Sequence, residues 1–195
     1  MHGLMNRSLQ SFVEDVYGSA RWMRVAEVAR LDFTSFEAML DYDDSVTLTV
    51  IDAATRVLRK PRADLLEDLG IYLVSHPNMA RIRRLLRFGG AGFVDFLDSL
   101  DDLPDRVRLA VPDLVIPTLE LAELEPDRYR LRCGATPEGM VHVILGVLRA
   151  LADDYGALVF LDLADGPVDG AWTIEIAVLS TSFAEGRSFE LASVI

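Results

Sequence analysis

Residues 88–117 read FGGAGFVDFLDSLDDLPDRVRLAVPDLVIP, and the reading of this stretch decides how the rest of the chain is understood. After the break at Gly89, Gly90 and Gly92, apolar residues recur at Phe93, Phe96, Leu97, Leu100 and Leu103, the spacing of one helical face. At about 100° per residue, position 104 falls on the side of 93, 97 and 100, with Asp95, Asp98 and Asp102 turned away. The expectation is one helix that ends near 104 and aims that position at the core. The residue there is Pro104.

Towards the C-terminus the period changes at about Pro117 from helical to alternating. Thr118 to Leu124 and Tyr129 to Cys133 read as strands joined through Glu125, Pro126 and Asp127, and residues 138–155 as a long helix. Leu158 to Leu163 and Trp172 to Leu179 read as two further strands, with the turn at Asp165, Gly166 and Pro167. Phe189 to Ile195 reads either as an edge strand or as loose chain. Towards the N-terminus, residues 79–88 form a short basic helix carrying Arg81, Arg83, Arg84 and Arg87. Before it, Pro61 opens a helix closed by His76, Pro77 and Asn78, because a missing amide proton does little harm in a first turn. Tyr42 to Ser45 starts another helix that ends at Arg59 and Lys60, and two amphipathic pieces cover residues 4–17 and 20–29. The fold class is therefore α+β, with a helical front and an antiparallel sheet plus helices behind it.

Several of these segments carry a family pattern. Phe96-Leu97, Leu100-Asp101-Asp102-Leu103, Val111-Pro112 and Pro117 resemble the haem-contacting helix and following loop of the H-NOX family, the haem nitric-oxide/oxygen binding domains. MHGLMNRSLQSFVEDVYG resembles the family's opening helix, which ends in Tyr-Gly, here Tyr17-Gly18. Leu65 to Val74 resembles the helix on the distal side of the family's pocket, and Glu138-Gly139-Met140 with VHVILGVLRALADDYG resembles its long C-terminal helix. Two departures accompany the match. Pro104 stands where the family has its proximal histidine, and the Tyr-x-Ser-x-Arg motif that holds the haem propionates keeps only Tyr129, with Leu131 and Cys133 in the other two places. The resemblance implies a single H-NOX-like domain over 1–195, a helical lobe to about residue 60 and a pocket-bearing α+β lobe from about 61. Between the lobes it implies a cleft lined by Val74, Phe93, Leu97, Leu100, Val143 and Val147. It further implies haem or a similar flat apolar ligand, nitric oxide as the signal, and a separate partner, a cyclic-nucleotide enzyme or a histidine kinase.

Each candidate residue has a plain alternative. Proline has no lone pair to give iron, so Pro104 packs and any iron is held from elsewhere. His76 is the first substitute, approaching from the distal side; its plain reading is a histidine at a helix C-terminus. His142 shares a side of its helix with Gly146, Arg149 and Asp153, a solvated face, and His2 sits near a mobile terminus. Cys133 offers a thiolate or is a small buried hydrophobe. Tyr129 offers a hydroxyl to a propionate or packs in the core. The arginines at 81, 83, 84 and 87 meet propionates, an acidic partner, or water; the aspartates at 95, 98, 101, 102 and 105 read as a charged outer surface.

Of the 195 residues, 31 are Asp or Glu and 19 are Lys or Arg, a net charge of −12. That balance speaks against nucleic acid and anionic membrane as partners and for a basic protein surface. One cysteine leaves no disulfide framework and suits a reducing cytoplasm. No nucleophile–base set or phosphate-cradling glycine loop is present, so the chain is expected not to be an enzyme. Two functions stay open: a haem-based nitric-oxide sensor with a non-standard iron ligand, or a cofactor-free interaction module on the same fold.

Overall fold

A computed structural model describes residues 2–134 and 139–189. Glu138 and residues 190–195 lie outside them, and Phe189 belongs to no strand. Chain contacts divide the protein into Met1–Leu69 and Gly70–Ile195.

The first unit contains α1 (Gly3–Tyr17), α2 (Ser19–Val28), α3 (Asp44–Leu58) and the start of α4 (Arg62–Ser75). Its buried side chains fall at helical spacing, Leu9, Phe12 and Val13 on α1, Trp22 and Val25 on α2, Val50 and Ile51 on α3. Two buried polar contacts tie it together: Thr47 donates to Asn6 Oδ1 at 2.8 Å and Trp22 Nε1 donates to the carbonyl of Thr34 at 2.8 Å, while Asn6 Nδ2 is buried without a partner among the described residues. His2 is not loose, as expected, but buried. Its Nδ1 accepts from the Leu4 amide at 3.1 Å and caps α1. Asp43 caps α3 through the Ser45 amide, and the hydrogen bonds from Ser45 hold its carboxyl below the usual range.

The second unit contains the end of α4, a 3₁₀ turn (Pro77–Met79), α5 (Ala80–Arg87), α6 (Phe93–Asp98), α7 (Leu103–Ala110), β1 (Leu119–Glu125), β2 (Arg128–Cys133), α8 (Met140–Tyr155), β3 (Leu158–Leu163) and β4 (Trp172–Ser180). The sheet is antiparallel in the order β1-β2-β4-β3. Strict alternation along β2 turns Tyr129, Leu131 and Cys133 inward and Arg128, Arg130 and Arg132 outward. Outside, Arg130 pairs with Glu175 across the β2–β4 rung at 2.7 Å. Inside, the β2 residues join Ile174, Ile176, Leu161 and the α8 residues Val141, Leu145 and Leu148 in one core.

Three local expectations change. The single helix over 93–103 is two: α6 stops at Asp98, and α7 begins at Leu103 with Pro104 in its first turn. Continuing through 104 would have set the proline ring against the carbonyl of Leu100 and lost that hydrogen bond, whereas a first turn needs no amide donor there. The β3–β4 turn lies at Asp169 and Gly170, both at positive φ (51° and 76°), and not at Asp165–Pro167. An Asp-Gly pair meets the demand of a tight hairpin for two left-handed residues. The third concerns Gly146, expected on a solvated side of α8 but buried. A Cβ on Gly70 of α4 would overlap Val143 O and lie 2.9 Å from Val147 N and 3.0 Å from Gly146 Cα, so two helix backbones meet at this point.

Candidate functional site

The residues expected to contact a cofactor all belong to the second unit, and most of them are solid core. Val74, Leu97, Leu100, Tyr129 and Cys133 lie in one contiguous buried cluster with Phe93, Phe96, Leu131 and Leu148, and Val147 packs against its margin. Val143 is buried along the face of α8 that meets Gly70. Pro104 is half-buried next to the buried Leu103.

Cys133 is fully covered, and burial alone pushes its thiol up to about 12. At neutral pH it is a neutral small hydrophobe. Tyr129 also has its pKa raised, first by burial and then by the negative charge of Glu123, Asp98 and Asp127. The one surviving member of the Tyr-x-Ser-x-Arg pattern thus sits among carboxylates.

His76 lies just past α4, stacked on Tyr72 with ring centroids 4.8 Å apart, and its Nδ1 accepts from the Asn78 amide at 3.4 Å. It lines an open cleft of about 360 Å³ together with Val74, Ser75, Pro77, Ala80, Arg83, Arg187 and Ser188. His142 is half-buried at the start of α8 and is not among the residues of that cleft.

The arginine cluster is largely structural, and its centre is a residue that sequence reasoning passed over. Asp154, 2% exposed, accepts Arg83 Nε at 3.0 and 3.1 Å and Arg87 Nη1 at 3.2 Å. Its backbone carbonyl accepts from the Arg187 amide at 2.9 Å. The Arg87 guanidinium also covers the Tyr155 ring at 3.8 Å, and the Tyr155 hydroxyl donates to the Gly90 carbonyl at 2.9 Å. Burial raises the Tyr155 pKa, with Arg87 acting against it. The available signal was the i, i+4 spacing of Arg83 and Arg87 and the Asp-Asp-Tyr-Gly end of α8. The aspartates of the 95–105 stretch are not all plain surface either: Asp95 accepts from the Gly92 amide at 2.9 Å, and Asp101 accepts from the Leu121 amide at 2.8 Å, tying the α6–α7 connection to β1.

A family model described as haem-NO-binding (HNOB) matches residues 2–160 of this chain. The chain belongs to the haem-NO-binding, or H-NOX, family. Among curated proteins, soluble guanylate cyclase 89Db of Drosophila melanogaster is 21% identical over 158 residues, covering 81% of this chain and 24% of that protein. Soluble guanylate cyclase gcy-31 of Caenorhabditis elegans is 22% identical over 166 residues, covering 85% of this chain and 24% of that protein. The chain thus spans about a quarter of the length of these relatives. Among solved structures, the Fe(II) unliganded H-NOX protein from K. algicida superposes with a TM-score of 0.75 at 17% identity, covering 97% of this chain and 100% of that one. A point mutant of T. tengcongensis H-NOX superposes with a TM-score of 0.76 at 14% identity, covering 93% and 99%. The α+β H-NOX fold expected from the sequence is the fold observed.

Membership does not make every H-NOX residue present. Haem held as the resemblance implies needs an imidazole where this chain has Pro104, and a cationic grip on the propionates where it has the buried, neutral Cys133. The carboxylates around Tyr129 would repel a propionate. The apolar side chains that would line a cavity are instead packed against one another. The described residues do not fit a haem held in that manner. No helix among them is long and apolar enough to cross a membrane.

Proposed function

We propose that this chain is a cofactor-free, non-catalytic H-NOX-fold protein that works as a regulatory interaction module in signalling. The observation that carries this reading is the closed core at Val74, Leu97, Leu100, Tyr129 and Cys133, combined with proline at the family's iron-ligand position. With a net charge of −12, the surface suits a basic partner, and encounter with one is accelerated by long-range attraction. The names of the guanylate cyclase relatives point to a cyclic-nucleotide enzyme as partner class, with a histidine kinase the other signalling enzyme of this kind. The setting proposed is the cytoplasm.

A second reading, a nitric-oxide sensor with His76 as the iron ligand, is supported by the place of that imidazole on an open cleft beside Val74. The visible spectrum of protein expressed with ample haem separates the two. The expected result is a folded, colourless protein. A Soret band that shifts with nitric oxide and is lost in His76→Ala would replace the first reading by the second; a band that survives His76→Ala would keep sensing and discard His76.

A further inference from the structure

The cleft beside His76 is unlike the rest of this acidic molecule. None of its lining residues is a carboxylate, while Arg83, Arg187 and His76 are all among them. The buried carboxylate behind it, Asp154, is already met by Arg83 and Arg87, so two guanidinium groups share one negative charge and Arg187 adds a further cation to the cleft. Arg83 uses Nε and Nη2 on Asp154 and on the carbonyl of Ser188, and Arg187 uses Nη1 on the carbonyl of Ser75 at 3.3 Å. Among the described residues, Arg83 Nη1 and Arg187 Nη2 have no protein acceptor. These are forked, permanently charged donors, the kind that grips oxyanions.

We propose that this cleft binds a small phosphate-bearing anion, held by Arg83 and Arg187 with His76 at its edge. This does not rest on the absence of haem. The net negative charge of the chain does not oppose it, because charges more than about 8–10 Å away are largely screened at physiological salt, whereas the arginines would be in contact. The two available guanidinium donors come from separate segments, Arg83 from α5 and Arg187 from the chain after β4, which suits a tetrahedral group with several oxygens better than a flat carboxylate. The small side chains Ala80 and Val74 line the same cleft, whose volume of about 360 Å³ exceeds the need of a bare phosphate and leaves space for an organic portion. Through Arg83 such an anion would also bear on Asp154, and so on α8 and residues 187–188.

Amide chemical shifts of the full chain, titrated with inorganic phosphate at constant ionic strength, test the assignment. Saturable shifts are expected at Ser75, His76, Ala80, Arg83, Arg187 and Ser188. Arg187→Ala is expected to weaken binding about tenfold, the effect of losing a charge-assisted contact. Arg108→Ala, which removes an exposed arginine paired with Asp105, is expected to leave binding unchanged. Arg83→Ala would strip a partner from buried Asp154, so Arg83→Lys, which keeps the charge and loses the fork, is the second variant and is also expected to bind more weakly. Shifts that do not saturate, or equal losses in the Arg187 and Arg108 variants, would overturn the site. Acetate binding as tightly as phosphate would overturn the choice of anion.

Discussion

Burial decides the chemistry of Cys133. A thiol whose pKa stands at about 12 in the folded protein, against an ordinary 9.0, keeps its proton over a range in which the unfolded chain releases it. The folded state therefore binds more protons than the unfolded state there, and stability falls as pH rises. The contribution is intact below pH 9 and is lost progressively as pH climbs towards 12. Tyr129 and Tyr155, also raised by burial, act in the same direction. Thermal unfolding followed by circular dichroism under reducing conditions should show a Tm that declines from about pH 9 upwards, with a shallower decline in Cys133→Val. An equal slope in the two proteins would mean that the thiol is not buried as described. Sequence could not settle this residue, since a lone cysteine on a strand reads as ligand or as filler; the alternation of Tyr129, Leu131 and Cys133 placed it on the inner face, and the closeness of the packing is what favours filler. Asp154 was hidden for a related reason. A buried carboxylate can be recognised only from partners on another element, here Arg83 and Arg87.

Element-level patterns were legible where one period ran without interruption. The four strands, the basic helix α5 and the cap at Asp43 follow from alternation, from the 3.6-residue period and from side-chain oxygens before a helix. The misreadings arose where a backbone demand overrode side-chain spacing: Pro104 starts α7 instead of ending α6, and Asp169-Gly170 makes the hairpin turn. The contact between α4 and α8 was invisible for the same reason, because it is made by glycines. It yields a test with opposite signs. In a helix interior, glycine-to-alanine normally gains about 0.5–1 kcal/mol. At Gly70 the added methyl would meet backbone atoms of Val143 and Val147 that no rotamer change can move aside, so Gly70→Ala should instead cost about 1–3 kcal/mol in guanidinium chloride unfolding. A stabilised variant would show that these helices do not approach closely.

Over the whole molecule, the question of a cofactor becomes one of linkage. A ligand that binds the native state and not the unfolded chain stabilises it by about 2.7 kcal/mol when present at about a hundred times its dissociation constant. For a chain of this length, about 1 kcal/mol moves Tm by roughly 2–4 °C, so a specifically bound haem would raise it by roughly 5–10 °C. An H-NOX fold that leaves a cavity for haem gains this stabilisation only when loaded. A chain whose corresponding side chains, from Val74 to Leu148, are packed in one continuous core already has the dispersion and burial that a porphyrin would otherwise supply. Haem added to the purified protein should therefore leave Tm unchanged to within about 1 °C, even if some adheres to the surface and colours the sample. This measurement adds to the spectrum of protein expressed with haem, because haem added later and adsorbed at the surface gives absorbance without preferential stabilisation of the native state. A rise of several degrees that depends on haem concentration would show that the core opens to admit it, and that proline at position 104 has displaced the iron ligand without closing the site.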